Sequence, residues 1–391
     1  MSGPVALVYG DALMKHQLSD EHPLQPIRVK LAVDLIRSTG LIEHSHLLPP
    51  RAATIAELEL VHSPEYVDLV RRLSDPVQRR HVSPQAIDAA GYASADNPIS
   101  DALHEGTSLV VGASLVAAQA IQGGAALHAF SPSGGLHHAH RERASGFCTY
   151  NDAAIACQWL KERGHRVAYV DVDVHHGDGV EDIFQRDPEV LTMSLHESGH
   201  WLFPGTGFPQ DSGVGKGKGS AANLPFMPYT WDEPWLYAFE RVVPALLRRF
   251  RPTVLVTQDG CDTHHLDPLA HLAATTQIWP RIGKVFHELA HELCEGRWLA
   301  LGGGGYAIYQ GPRPPGRGPR DRFRLDGVGP QAASADARPK GLSRDGHAAH
   351  LEVGQEPPVD PVLGVADVMS VLRRLAANRA LFGHGAPSAW S

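Results

Sequence analysis

Short runs rich in β-branched residues, at 166–174, 190–196, 253–257 and 298–301, alternate along this chain with segments of helical period at 26–38, 105–121, 152–163, 233–250 and 271–294. Strands separated by helical crossovers pair in parallel, so the alternation predicts an α/β fold with a mostly parallel central sheet flanked by helices on both faces. In such sheets the loops converge at the carboxyl ends of the strands, and ligands bind there. A length of 391 residues is enough for one large domain with a sizeable core.

The net charge of −8 gives no positive field for nucleic acid and is compatible with a cationic or lysine-bearing partner, although mild acidity also serves solubility. Four cysteines (Cys148, Cys157, Cys261, Cys294) show no C-x-x-C spacing, which points to a reducing, cytoplasmic setting. No signal-peptide pattern opens the chain, and the apolar stretch 109–127 is interrupted by Ser114, Gln119 and Gln122, so it reads as a buried helix with no membrane partner. At residue 311 the composition breaks: five Gly, five Pro and five Arg fall within 311–330, followed by helical period at 365–381. The expectation is one catalytic domain over 1–310 and an atypical linker and tail over 311–391, a divergent replacement or the product of a shifted reading frame.

The strongest chemical signal is the octet Asp171-Val-Asp173-Val-His175-His176-Gly177-Asp178. Strand alternation sends Asp171, Asp173 and His175 to one side, a costly arrangement in a buried strand unless a cation compensates. Oxygen and nitrogen donors of this kind suit zinc, manganese or iron, and three protein ligands leave a position for water. A second signal, Gly134-Gly135-Leu136-His137-His138, lets the backbone turn and bring two imidazoles into a cleft, where they can move protons if a carboxylate such as Asp171 or Asp178 fixes the tautomer. A third, Gln258-Asp-Gly-Cys-Asp262, offers an acidic ligand from a strand end; Asp259 and Asp267 compete with Asp262 on spacing alone. The run Gly302-Gly-Gly-Gly305-Tyr306 presents a phenol able to donate to an oxyanion.

Taken in order, 134–151, 171–178, 194–206, 258–268 and 302–306 resemble the histone deacetylase family, and most nearly its bacterial acetoin-utilisation-type members. The resemblance spans about residues 4–309 and implies an arginase/deacetylase-like fold and a zinc-dependent hydrolase acting on the acetyl amide of acetyl-lysine or a related acetylated amine, with iron suiting the same ligands. It implies Asp173, His175 and Asp262 as metal ligands. His137 and His138 match the tandem histidines, His138 being the principal proton carrier, with Asp171 and Asp178 as their carboxylate partners. Tyr306 matches the carbonyl-polarising tyrosine. Phe147 and Phe203 match the tunnel walls, Gly146 the acetyl end, Gly304 the substrate-binding glycine, Asp96 the rim and Arg28 an interior channel. A structural potassium ion is implied near Asp171, Asp173, His175, Ser194 and Leu195. The implied partner is an acetylated protein lysine or a small acetylated amine. The alternatives are an acetylpolyamine amidohydrolase, a binuclear manganese amidinohydrolase, and a catalytically silent acyl-lysine-binding protein.

Overall fold

The computed structural model describes residues 5–92 and 94–308. Within them eight strands form one sheet: β1 (Val5–Val8), β2 (Ser45–Leu48), β3 (His128–Ser131), β4 (Val167–Asp171), β5 (Val190–Glu197), β6 (Ala221–Phe226), β7 (Val254–Gln258) and β8 (Trp298–Leu301). Their order is β2-β1-β3-β8-β7-β4-β5-β6, and every pairing is parallel. Pro225 lies in β6, an edge strand of the sheet, where a missing N–H is tolerated.

Both faces of the sheet are covered. Helices Leu103–Gln122 and Asp152–Lys161 bury Val8, Val167, Tyr169, Val256 and Leu299 on one side. Helices Asp232–Phe250 and Ile278–Leu293 bury Val170, Leu255, Phe239, Phe286 and Trp298 on the other. Each large apolar side chain fully withdrawn from water contributes roughly 2–3 kcal/mol before chain entropy is counted. The Leu103–Gln122 helix is buried almost all round, which accounts for the long apolar stretch without a membrane. Among the described residues, no helix is long and apolar enough to cross one.

Two expectations shift. The helix predicted over 271–294 begins only at Ile278, because Pro280 has no N–H to donate and is compatible only with the first turn. The preceding loop is held instead by side chains: the Thr275 backbone N–H and hydroxyl donate to the Asp232 carboxylate at 2.6 and 2.5 Å, and the His271 N–H donates to Glu197 at 2.8 Å. The strand predicted over 166–174 stops at Asp171. Beyond it the alternation persists as packing, with Val172 and Val174 entering one core while Asp171, Asp173 and His175 turn to the other side. The expected linker and the helical segment 365–381 lie outside the described residues.

Candidate active site

Register brings the site together. Asp171 pairs with Gln258, Gln258 with Leu301, and Leu301 with Ser131, so β4, β7, β8 and β3 end at one level and their following loops meet. The loops are also tied to one another: the Asp259 N–H donates to Leu301 O and Gly302 O at 3.1 Å, and the Cys261 N–H to Gly304 O at 2.9 Å.

Asp173, His175 and Asp262 are all buried, and their donor atoms lie within 4.8 Å of one another. The outer oxygens are held from behind. Asp173 Oδ2 accepts from Gln258 Nε2 at 2.7 Å and the Gly304 N–H at 2.8 Å, and Asp262 Oδ1 accepts from the Val174 N–H at 2.8 Å. The inner oxygens, Asp173 Oδ1 and Asp262 Oδ2, face His175 Nδ1 at 3.1 and 3.2 Å. Burial and the adjacent Asp173 charge push Asp262 above the usual carboxylate range. Two buried carboxylates thus converge on one imidazole with too little positive charge between them, a donor set that fits a divalent cation. Glycines keep the place clear: a Cβ at Gly304 would stand 1.9 Å from Asp262 Oδ2, and one at Gly260 would stand 2.1 Å from Asp173 Oδ2.

The tandem histidines flank this group. His137 Nδ1 donates to Asp171 Oδ2 and His138 Nδ1 to Asp178 Oδ1, each at 2.7 Å, while the two Nε2 atoms stand 3.0 Å apart. Burial opposes charge on both rings, but Asp171 and Asp173 raise His137 to about 9, whereas burial and the neighbouring His137 lower His138 to about 4. The two rings are thus biased in opposite directions, His137 towards its charged form and His138 towards its neutral form. Asp171 is further fixed by the Tyr169 hydroxyl at 2.6 Å.

Residues 22–313 match the family model described as the histone deacetylase domain. The chain is 40% identical over 304 residues, 78% of each protein, to the acetoin utilization protein AcuC of Bacillus subtilis (strain 168). It belongs to the histone deacetylase family. It is also 36% identical over 310 residues, 79% of each protein, to the AcuC protein of Staphylococcus aureus (strain MSSA476). Among solved structures, a histone deacetylase homologue from Aquifex aeolicus superimposes with a TM-score of 0.70 at 31% identity, covering 78% of this chain and 79% of that one.

On this deacetylase fold the remaining sequence-predicted residues fall partly against His138 and partly around Tyr306. The Phe203 ring packs against His138 at 5.0 Å, and Phe147 against Tyr306 at 5.7 Å between centroids. Gly146, at φ +50°, lies so close to His138 that a Cβ would come 2.3 Å from its ring. Asp96 joins through His22, whose Nε2 donates to the Asp96 carbonyl at 3.2 Å and whose ring packs on Phe147 at 4.5 Å. Arg28 stacks over Tyr306 at 4.9 Å and donates to Gly303 O at 2.8 Å. Asp171 and Ser194 are register partners on β4 and β5, with Leu195 next along β5. Burial raises the Tyr306 phenol well above its ordinary value, so it stays a donor.

Sequence reading did not find the supporting roles of the residues that hold these groups. Asp267, a rival ligand on spacing, instead accepts the Tyr306 N–H at 2.7 Å; Asp259 instead accepts from the Thr257 hydroxyl at 2.8 Å. Asp152, fully buried at a helix start, accepts from Ser114 Oγ at 2.6 Å and from the N–H groups of Gly135 and Leu136 at 3.0 and 2.8 Å, anchoring the turn that leads to His137. A carboxylate at an apolar helix start was the only hint available in the sequence. Asp152→Ala strands three buried donors, so urea unfolding is expected to show a loss of roughly 3 kcal/mol or more, at 1–3 kcal/mol per orphaned group. A loss below 1 kcal/mol would refute the anchoring role.

Proposed function

We propose that this protein is a zinc-dependent deacetylase that hydrolyses the acetyl amide of acetyl-lysine or a related acetylated amine. The observation carrying this reading is the convergence, at one sheet rim, of the Asp173/His175/Asp262 group, the carboxylate-backed His137–His138 pair and the loop that ends in Tyr306. Asp173, His175 and Asp262 would hold the metal. Bound there, a divalent cation supplies Lewis acidity towards a carbonyl and makes water acidic near neutral pH.

The protein side chains do the rest. His138 Nε2, kept unprotonated, accepts the proton of the attacking water, and Asp178 behind it steadies the imidazolium that forms. The same proton then passes to the departing amine. Tyr306 donates to the oxygen on which charge develops, its loop pinned by Asp267 and its ring covered by Arg28 and Phe147. Phe147 and Phe203 form apolar walls that suit the methylene stem of a lysine or polyamine. Asp96, through His22, stands behind Phe147. Iron suits the same ligands. A structural potassium ion near Asp171, Asp173, His175, Ser194 and Leu195 belongs to the same reading, as do a cytoplasmic setting and a catalytic unit ending near residue 310.

A binuclear amidinohydrolase needs further bridging carboxylates, but here the neighbouring ones are taken: Asp171 by His137 and Tyr169, Asp178 by His138 and His140. The test is turnover of an acetylated lysine peptide and an acetylated polyamine by the full chain, with chelator and after zinc is restored. Cleavage abolished by chelator and recovered with zinc is expected. Unchanged cleavage in chelator would sink the reading, and the relative rates of the two amines name the substrate class. Tyr306→Phe is expected to lower kcat roughly 100- to 1,000-fold with little change in KM, the usual cost of one oxyanion donor.

A further inference from the structure

A second histidine cluster lies at the other end of the sheet. His128 opens β3, whose last residue, Ser131, borders the catalytic rim; the cluster is therefore a strand length away, about 10 Å at roughly 3.3 Å per residue. His287 and His291 project from helix Ile278–Leu293 at positions four apart, which share one face. The three rings stand 5.0, 5.1 and 4.6 Å apart between centroids, and one nitrogen from each lies within 4.8 Å of the others. Among the described residues only this trio and the Asp173/His175/Asp262 group meet that spacing.

We infer that His128, His287 and His291 form a second binding site for a divalent first-row transition ion, with zinc the expected occupant. All-imidazole ligation suits zinc, copper and nickel and disfavours magnesium or calcium. Zinc-bound imidazole nitrogens, at about 2.0–2.1 Å from the metal, stand about 3.3 Å from one another, so the nitrogens here, within 4.8 Å of one another, close in on a bound ion. The Trp298 ring packs edge-on against His128 at 5.6 Å and walls the inner side. His291 is only half-buried and gives the entry side. Gly296 closes in beneath it: a Cβ there would come within 2.9 Å of the His291 ring.

The helix reads His287-Glu288-Leu289-Ala290-His291, the H-E-x-x-H spacing in which the glutamate of hydrolytic zinc sites acts as a base. Here Glu288 is exposed and faces Lys284 at 3.9 Å, away from the cluster. The site binds without catalysing. Its mechanical effect is to clamp the C-terminal turn of this helix to β3, and that turn leads directly into β8, whose far end delivers the Tyr306 loop.

Zinc binding to the full chain, stripped of metal and measured by equilibrium dialysis, tests this. Wild type is expected to take up two equivalents. His291→Gln takes up one and keeps its kcat/KM, whereas Asp173→Ala takes up one and loses activity. A thermal scan gives a second readout that does not depend on counting: zinc raises the Tm of Asp173→Ala, and adding His291→Gln removes that rise. Equal zinc uptake by wild type and His291→Gln, with equal Tm shifts, would overturn the inference. Should wild type take up only one equivalent, its disappearance in His291→Gln alone supports this site while overturning the active-site reading, and its disappearance in Asp173→Ala alone does the opposite.

Discussion

Asp173→Ala is expected to leave the active site without its divalent ion and to reduce deacetylation by at least roughly 1,000-fold, since a Lewis acid supplies several kcal/mol of transition-state stabilisation and each 1.36 kcal/mol is a factor of ten. The size of the effect follows from how the carboxylate is placed. One oxygen is fixed by Gln258 Nε2 and the Gly304 N–H, and the other is thereby aimed at the point where His175 and Asp262 converge. Among the described residues, the neighbouring Asp171 carboxylate is already engaged by His137 and Tyr169. Because the same carboxylate satisfies buried donors, the variant also loses stability, and circular dichroism must accompany metal analysis. Asp262→Asn, which keeps shape and removes charge, separates the two effects: it should stay folded and lose the ion. Full metal content with full activity in Asp173→Ala would refute the ligand assignment.

His138→Ala is expected to keep the metal and lower kcat/KM roughly 100- to 10,000-fold, the range for removing a positioned general acid–base. His137 is a poor substitute. Its Nδ1 is bound to Asp171 and its charge is stabilised by two carboxylates, so its proton is held too firmly to cycle. His137→Ala should therefore cost activity by a different route, through loss of the neighbour that keeps His138 in its basic form. Steady-state kinetics over a range of pH, with metal content measured alongside, distinguishes them. Loss of metal in His138→Ala, or an equal or larger kinetic defect in His137→Ala, would reverse the roles assigned here.

The parallel architecture was legible because crossovers leave a periodic trace: apolar runs of strand length alternating with segments of 3.6-residue period. β4, β5, β7 and β8 announce themselves in this way, whereas β1, β2, β3 and β6 do not; β8, no longer than β1, β2 or β3, is marked off by the Gly302–Gly305 run that follows it. Boundaries failed where one residue outweighed the pattern. Pro280 sets the start of its helix although the apolar pattern upstream continues, since a missing donor is a local constraint and periodicity an average over a window.

By itself, the sequence determined which chemical groups this protein has for its reaction, because Asp, His and Tyr at strand ends are written locally and strand alternation already turns Asp171, Asp173 and His175 the same way. Spacing left Asp259, Asp262 and Asp267 open and the family resemblance pointed to Asp262; the tertiary structure adds what lies across from each: Thr257 for the first, His175 for the second, and the Tyr306 N–H for the third. Likewise, His128 lies some 160 residues from His287 and His291, and no local pattern links them; a strand and a helix packed side by side do. Spacing along the chain reports on neighbours within one element, whereas a site assembled from several elements depends on register and packing.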